Sequence, residues 1–149
     1  MSTSVADPQA STELVIEAAW RGGMRVTAGD GEHEVTIDYP LEAGQQVAGL
    51  TPLKLLLAAV AGCAGNTVAL LLQKREQPLE ALELTVRGPR RQEHPTVITS
   101  IDVEFVLHGA GLDPEVVRHC IALADEKLCP VWAMIRPGTP ISSRFRIDD

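Results

Sequence analysis

The stretch TPLKLLLAAVAGCAGNTVALLLQK, residues 51–74, decides the fold, because apolar residues are nowhere else so concentrated in the chain. Thr51 is a suitable N-cap, and Pro52 suits the first helical position, where its missing N–H costs nothing. No charged residue lies within 55–72, and apolar side chains fall on every side of the helical wheel. This pattern predicts one helix that is enclosed all round, with Cys63 at its middle.

A membrane span is the rival interpretation of this stretch, since about 18 uncharged apolar residues qualify as a candidate. Asn66, Thr67, Cys63 and two glycines dilute the run, and the chain has no second hydrophobic segment of this kind. Basic residues mark both ends alike, so the flanking charges give no orientation across a membrane. We therefore expect a buried helix and no membrane span.

The composition predicts one globular domain. The chain of 149 residues is long enough to bury a core without metals or disulfides. Its composition, 45% hydrophobic and 22% charged, is typical of a globular protein. The net charge of −7 disfavours nucleic acid binding, because a duplex-binding face needs clustered Lys and Arg. The N-terminus has no basic region followed by an apolar segment, so we expect a cytoplasmic protein. The three cysteines lack staple-like spacing, which indicates reduced thiols.

The rest of the chain predicts an α+β fold in the order βββ-α-ββ-α-β, with mostly antiparallel sheets and two principal helices. Residues 1–12 are expected to be a disordered tail, and 13–149 a single domain. A second, amphipathic helix should begin at Asp113 and end at Cys129, with Leu128 on its apolar stripe. Alternating apolar residues predict strands at 14–20, 24–28, 35–39, 82–87, 97–108 and 141–147.

The first helix also predicts a second subunit. A sheet can cover one of its faces and the second helix part of another, which leaves apolar surface on a single chain. Exposed apolar patches beyond a few hundred Å² are unusual on monomers, and the two-fold dimer is the commonest homo-oligomer. We therefore expect a homodimer.

Two cysteine motifs, TPLKLLLAAVAGC in the first helix and LCPV after the second, resemble those of the OsmC/Ohr family of osmotically induced and organic-hydroperoxide-resistance proteins. The likeness covers residues 14–147 and is closest to the YhfA-like branch. It implies an OsmC-like fold and an intertwined homodimer with a pair of cysteines at each interface site. In characterised members one cysteine reduces an organic hydroperoxide and the other resolves it; by position these are Cys63 and Cys129.

The chemistry of the three thiols agrees with this assignment. A peroxidatic cysteine must be a reachable thiolate and needs a second thiol nearby. Cys63 lies among small residues that allow access, whereas Cys129 is expected at a helix C-terminus, where the dipole disfavours a thiolate. Cys120 falls on the apolar stripe of the second helix and should be inert. The alternative that Cys63 is only a small core residue stays open.

The residues near Cys63 predict an apolar substrate. Leu53, Leu56 and Val60 would supply an apolar approach for an organic hydroperoxide, and an external dithiol would restore both thiols. We expect no cofactor and no metal, because the four histidines lack metal-ligand spacing to each other or to the cysteines.

Two residues that activate the thiolate in the family's peroxidases have no counterpart here. The resemblance implies an Arg in the loop before the helix and a Glu directly after its proline, but Leu53 follows Pro52 and residues 41–50 contain no Arg. Two functions therefore remain: a weak two-cysteine peroxidase, or a non-catalytic protein that binds a hydrophobic small molecule or senses redox state. The candidates to replace the missing Arg are Arg21, Arg25 and Arg136.

Overall fold

The computed structural model describes residues 13–149, and the tail expected at 1–12 lies outside the described residues. The chain divides into two compact units, one ending at Pro52 and the other extending from Leu53 to Asp149. Two three-stranded sheets and a few helices make the fold α+β, which confirms the predicted class.

The first unit is an antiparallel meander of three short strands: β1 (Glu17–Trp20), β2 (Val26–Gly29) and β3 (Glu34–Ile37). Gly22 and Gly31 lie in the two turns with φ angles of 97° and 98°, which glycine adopts without steric cost. The first strand starts at Glu17 and not at residue 14, because its partner strand ends at Gly29, the residue opposite Glu17.

A buried carboxylate orders the loop after β3. Asp38 accepts hydrogen bonds from the backbone N–H groups of Ala48 at 3.0 Å and Tyr39 at 2.9 Å. Its own N–H donates to the carbonyl of Leu50 at 3.2 Å, which ties the far end of the loop to the meander. The hydrogen bond from Ala48 lowers the pKa of Asp38, so this side chain is ionised at neutral pH.

The second unit combines α1 (Pro52–Lys74) with a sheet of β4 (Ala81–Arg87), β5 (Ile101–His108) and β6 (Ile141–Asp148). The central strand β5 pairs antiparallel with β4 but parallel with β6, so the sheets are mostly antiparallel, as predicted, with one parallel pair. The helical segment between β5 and β6 carries the chain back, which lets β6 run in the same direction. Strand β5 begins at Ile101 and not at residue 97, because the preceding segment bridges Ile98 to Arg90 instead.

The predicted second helix is divided into two parts, and a third helical segment follows it. The first, α2 (Pro114–Leu123), begins after Asp113, whose carboxylate accepts a hydrogen bond from the N–H of Glu115 at 2.9 Å. A π-helical turn follows at Ala124–Leu128, and a further helix, α3 (Pro130–Ile135), begins after Cys129. The sequence pattern did not predict α3. Leu128, expected on the buried stripe, is 48% exposed.

The core lies between α1 and the inner face of the second sheet. Four α1 residues spaced four apart are fully buried and share one cluster with inner-facing residues of β5. The other sides of α1 carry exposed side chains such as Leu56 and Leu70, so within the single chain one stripe is buried and the helix is not enclosed all round. The buried stripe makes α1 a core helix, although its length and composition would also suit a membrane span. The stripe consists of Val60, Ala64, Val68 and Leu72.

Candidate functional site

Cys63 lies in the middle of α1, directly before the buried Ala64, and its side chain is half-buried. Thr67 donates a hydroxyl hydrogen bond to the carbonyl of Cys63 at 2.8 Å, within the helix. The neighbouring Gly62 lies on an open surface of the chain, because a Cβ added there would meet no atom within 4 Å. A small molecule can therefore approach the helix beside Cys63 in the single chain.

Cys129 is 3% exposed and joins the π-helical turn to α3. Its N–H donates to the carbonyl of Ala124 at 3.0 Å, and its carbonyl accepts from the N–H of Ala133 at 3.0 Å. The residue therefore ends one helical segment and is the N-cap of the next. The sequence predicts Cys129 at a helix C-terminus, and the residue also precedes α3, which was not predicted.

The two thiols are in contact although 66 residues separate them along the chain. The Sγ atom of Cys129 donates to the Sγ atom of Cys63, and the two atoms are 2.7 Å apart. Both cysteines are free thiols. Because a disulfide needs its two cysteines in close and specific geometry, a pair in contact can be joined with little movement of the backbone.

The environment of Cys129 keeps it protonated. Burial raises the pKa of Cys129 to about 11, and the hydrogen bond to Cys63 adds to the rise. The backbone N–H groups of Trp132 and Val131 act in the opposite direction but do not offset burial. At neutral pH Cys129 is therefore a thiol that donates a hydrogen bond to the sulfur of Cys63.

The third cysteine is a core residue. Cys120 in α2 is fully buried and belongs to the hydrophobic cluster. Burial raises its pKa, and the positive charge of Arg75 opposes this only in part. Within residues 13–149, the contact between Cys63 and Cys129 is the only hydrogen bond between two thiols.

Arg136, one of the three candidate arginines, is paired with an acid. It follows the end of α3, forms an ion pair with the carboxylate of Asp125, and donates to the carbonyl of Asp125 at 3.2 Å. In the described part of the chain, no arginine donates a hydrogen bond to the sulfur of Cys63.

The other two arginines have partners in the first unit. Arg25 lies 3.7 Å from the carboxylate of Asp38. Arg21 donates to the hydroxyl of Thr27 at 2.9 Å. Both side chains therefore contribute to the structure of the meander.

The three apolar residues expected to line the approach differ in exposure. Leu56 is exposed, Leu53 is half-buried and packs against the core cluster, and Val60 is fully buried. The carbonyl of Val60 accepts a hydrogen bond from the indole of Trp132 at 3.1 Å. The accessible apolar surface of this group is therefore Leu56 with part of Leu53.

Sequence reasoning missed Trp132 as a residue of this site. Its ring is 1% exposed, and it lies in α3, three positions after Cys129. The signal that could have revealed α3 is Pro130 followed by an apolar run, because proline is common at the first position of a helix. No group of three or more His, Cys, Asp or Glu suited to a metal ion occurs among residues 13–149.

A family model described as OsmC-like protein matches residues 43–144. The chain belongs to the OsmC-like family. This confirms the resemblance drawn from the two cysteine motifs. Protein YhfA of Escherichia coli strain K12 is 29% identical over 97 residues, which cover 65% of this chain and 72% of that protein.

Solved structures share the OsmC-like fold. An OsmC-like protein from Mycoplasma pneumoniae matches with a TM-score of 0.79 and 18% identity, over 92% of this chain and 98% of that chain. The organic hydroperoxide resistance protein OhrB of Bacillus subtilis matches with a TM-score of 0.64 and 21% identity, over 89% of this chain and 98% of that chain. At these identities the likeness concerns the fold alone.

Proposed function

We propose that this OsmC-like protein is a thiol-dependent peroxidase that reduces organic hydroperoxides, with Cys63 as the attacking thiol and Cys129 as the resolving thiol. The observation that carries the proposal is the 2.7 Å contact between two sulfurs of unequal exposure. The half-buried Cys63 is reachable by a substrate, while the buried Cys129 lies close enough to condense with it. The name of the structural relative OhrB supports the choice of substrate class.

The proposed reaction has three steps: oxidation of Cys63 by the hydroperoxide, condensation of the two cysteines to a disulfide, and reduction of that disulfide. The Cys63 thiolate attacks the terminal oxygen of the hydroperoxide, the O–O bond breaks, and the alkoxide takes up a proton and leaves as the alcohol. Cys63 is then a sulfenic acid. The sulfur of Cys129 attacks the sulfur of Cys63, a disulfide forms, and water leaves with the proton of Cys129. An external dithiol is oxidised as it returns both cysteines to thiols.

We expect this peroxidase to be slow. Leu53 occupies the position of the family's Glu, and Arg136 is paired with Asp125. In the described residues the thiol of Cys129 is the side-chain donor to the sulfur of Cys63. A neutral donor stabilises a thiolate less than a guanidinium does, because hydrogen bonds from charged donors are roughly twice as strong.

The proposal includes a homodimer that acts in the cytoplasm. Large apolar side chains left exposed on the single chain support the dimer: Trp20 is 72% exposed in the first unit, and Leu70 is 51% exposed on α1. A second copy would cover such surface. Light scattering after size exclusion should give about twice the chain mass of 16.0 kDa. A single species at the chain mass would contradict the dimer.

Stopped-flow consumption of t-butyl hydroperoxide with dithiothreitol tests the activity. The wild type should turn over, and should prefer the organic hydroperoxide to hydrogen peroxide because Leu56 and Leu53 offer apolar surface. Cys63→Ser should be inactive, and Cys129→Ser, assayed without dithiothreitol, should consume one equivalent and stop, because attack needs only Cys63. Cys120→Ala is the matched control, because it removes a buried thiol that has no part in the proposed steps, and it should keep turning over.

The second candidate function is non-catalytic binding of a hydrophobic small molecule, with the cysteine pair as a slow redox sensor. The exposed Leu56 and the lack of an arginine on Cys63 in the described residues favour it. If the wild type and Cys63→Ser consume hydroperoxide at the same background rate at every pH, the peroxidase proposal fails and this one replaces it.

A further inference from the structure

We infer that Trp132 is a positioning residue, whose indole hydrogen bond to α1 holds Cys129 against Cys63 and so determines how readily the pair forms a disulfide. The inference concerns oxidation of the two thiols by any disulfide oxidant. It therefore goes beyond the proposed peroxidase activity and does not rest on it.

The geometry links the two cysteine segments at a second point. The Nε1 of Trp132 donates to the carbonyl of Val60 at 3.1 Å, and both residues are buried. Val60 lies three positions before Cys63, and Trp132 lies three positions after Cys129. The hydrogen bond therefore lies about one helical turn from Cys63 along α1 and about one turn from Cys129 along α3.

Few other hydrogen bonds could perform this task. Those made by the backbone of Cys129 go to Ala124 and Ala133, which are local in the chain. Between α1 and the segment from Cys129 to the end of α3, the hydrogen bonds of the described residues are the indole bond and the thiol contact itself. Without the indole bond, apolar packing and the thiol contact would still join the two segments, but the thiol contact would be the one hydrogen bond left between them in the described residues.

The indole hydrogen bond should favour the disulfide because both would join α1 to the segment that contains Cys129 and α3. A buried indole N–H without an acceptor is costly, so the ring keeps its position on the carbonyl of Val60. A disulfide would hold the same segments together and make the indole bond more fully formed, and by reciprocity the indole bond promotes the disulfide. Loss of one buried hydrogen bond corresponds to roughly a three- to tenfold change in an equilibrium constant.

Equilibration in glutathione buffers tests the inference. One molecule of oxidised glutathione oxidises both thiols of the protein and is released as two reduced molecules. Trp132→Phe should lower the equilibrium constant for the intramolecular disulfide by at most about tenfold, because the indole bond is already formed in the reduced protein and only its strengthening in the oxidised protein is lost. Trp20→Phe is the matched control: its Nε1 also donates to a backbone carbonyl, that of Gly23 at 3.0 Å, but Trp20 is exposed on the single chain and lies in the first unit, away from both cysteines in sequence.

The control should keep the wild-type constant, and a wild-type constant for Trp132→Phe would overturn the inference. The substitution also removes part of a buried ring, so a general loss of packing has to be distinguished. A purely structural role would destabilise the reduced and oxidised proteins equally and leave the glutathione equilibrium unchanged. A positioning role destabilises the oxidised protein more, by the factor seen in that equilibrium. Urea unfolding of both forms measures the difference.

The unaltered protein provides a test that does not depend on folding of the variant. The indole N–H of Trp132 should exchange with solvent more slowly in the disulfide form than in the reduced form, measured by NMR. The indole N–H of Trp20 should exchange equally in both. Equal protection of Trp132 in the two forms would overturn the inference, whether or not the protein reduces hydroperoxides.

Discussion

Disulfide formation between Cys63 and Cys129 should accelerate with pH well beyond the range of an ordinary thiol. Burial raises the pKa of Cys129 to about 11. Below a pKa raised in this way each pH unit changes the thiolate fraction of Cys129 tenfold, so the fraction should rise about a hundredfold from pH 7 to pH 9. Because the thiolate is the attacking species, the resolving step should speed up about a hundredfold over this range and nearly tenfold more by about pH 10.

The concentration of hydroperoxide separates the two steps. Attack by Cys63 is first order in hydroperoxide, whereas resolution is independent of it, so the plateau rate at high concentration measures resolution. Samples are quenched and alkylated at each time, and peptide mapping measures the linked pair. Cys129→Ser gives the rate of attack alone at every pH. Cys120→Ala, the matched control, should give the wild-type plateau.

A plateau rate that levels off near pH 8.5 would refute the reasoning, because Cys129 would then behave as a solvated thiol, for which the pKa is about 8.5. Oxidation of Cys63 removes the hydrogen bond between the thiols, but burial, the largest cause of the raised pKa, remains. If peptide mapping found that the main disulfide joins Cys63 to Cys120, the choice of Cys129 as the resolving thiol would be refuted.

Three further predictions concern stability and are measured by urea unfolding of the reduced protein. The stability of the wild type relative to Cys129→Ala should fall by about 2 to 3 kcal/mol as pH rises from about 9 to about 11. In that window the folded state keeps the Cys129 proton while the unfolded chain loses it. A constant difference in stability would contradict the raised pKa. Phe105→Ala should cost about 3 to 5 kcal/mol, since the ring is fully buried, and a loss below about 1 kcal/mol would contradict its place in the core. Gly109→Ala should destabilise the protein more than Gly111→Ala, although both glycines have positive φ. A Cβ at Gly109 would overlap the carbonyl of Pro78, whereas one at Gly111 would not. Equal losses of stability would contradict the close approach of Gly109 to that carbonyl.

The sequence predicts the position of Cys63 well because local signals mark its helix. Pro52 begins α1, as the proline signal indicates, and the uncharged run continues to Lys74, where the helix ends. The partner of Cys63 is different. Its contact with Cys129 spans 66 residues and depends on tertiary packing, so here only the family resemblance pointed to it. The direction of β6 likewise cannot be predicted from its alternating apolar and polar residues, because side chains alternate with the same period in parallel and antiparallel strands.

The π-helical turn explains both why sequence reasoning misread the end of the second helix and how Cys129 reaches its partner. In a continuous α-helix the residue four positions after the buried Ala124 would face the core, and that residue is Leu128. The N–H of Cys129 instead bonds to the carbonyl of Ala124, five positions back, at 3.0 Å. This wider turn adds one residue, so Leu128 is 48% exposed and Cys129, at 3%, takes the buried position. Such turns are rare overall, but those that occur are often at functional sites. Here the turn places Cys129, which contacts Cys63, in the buried position that Leu128 would occupy in a continuous α-helix.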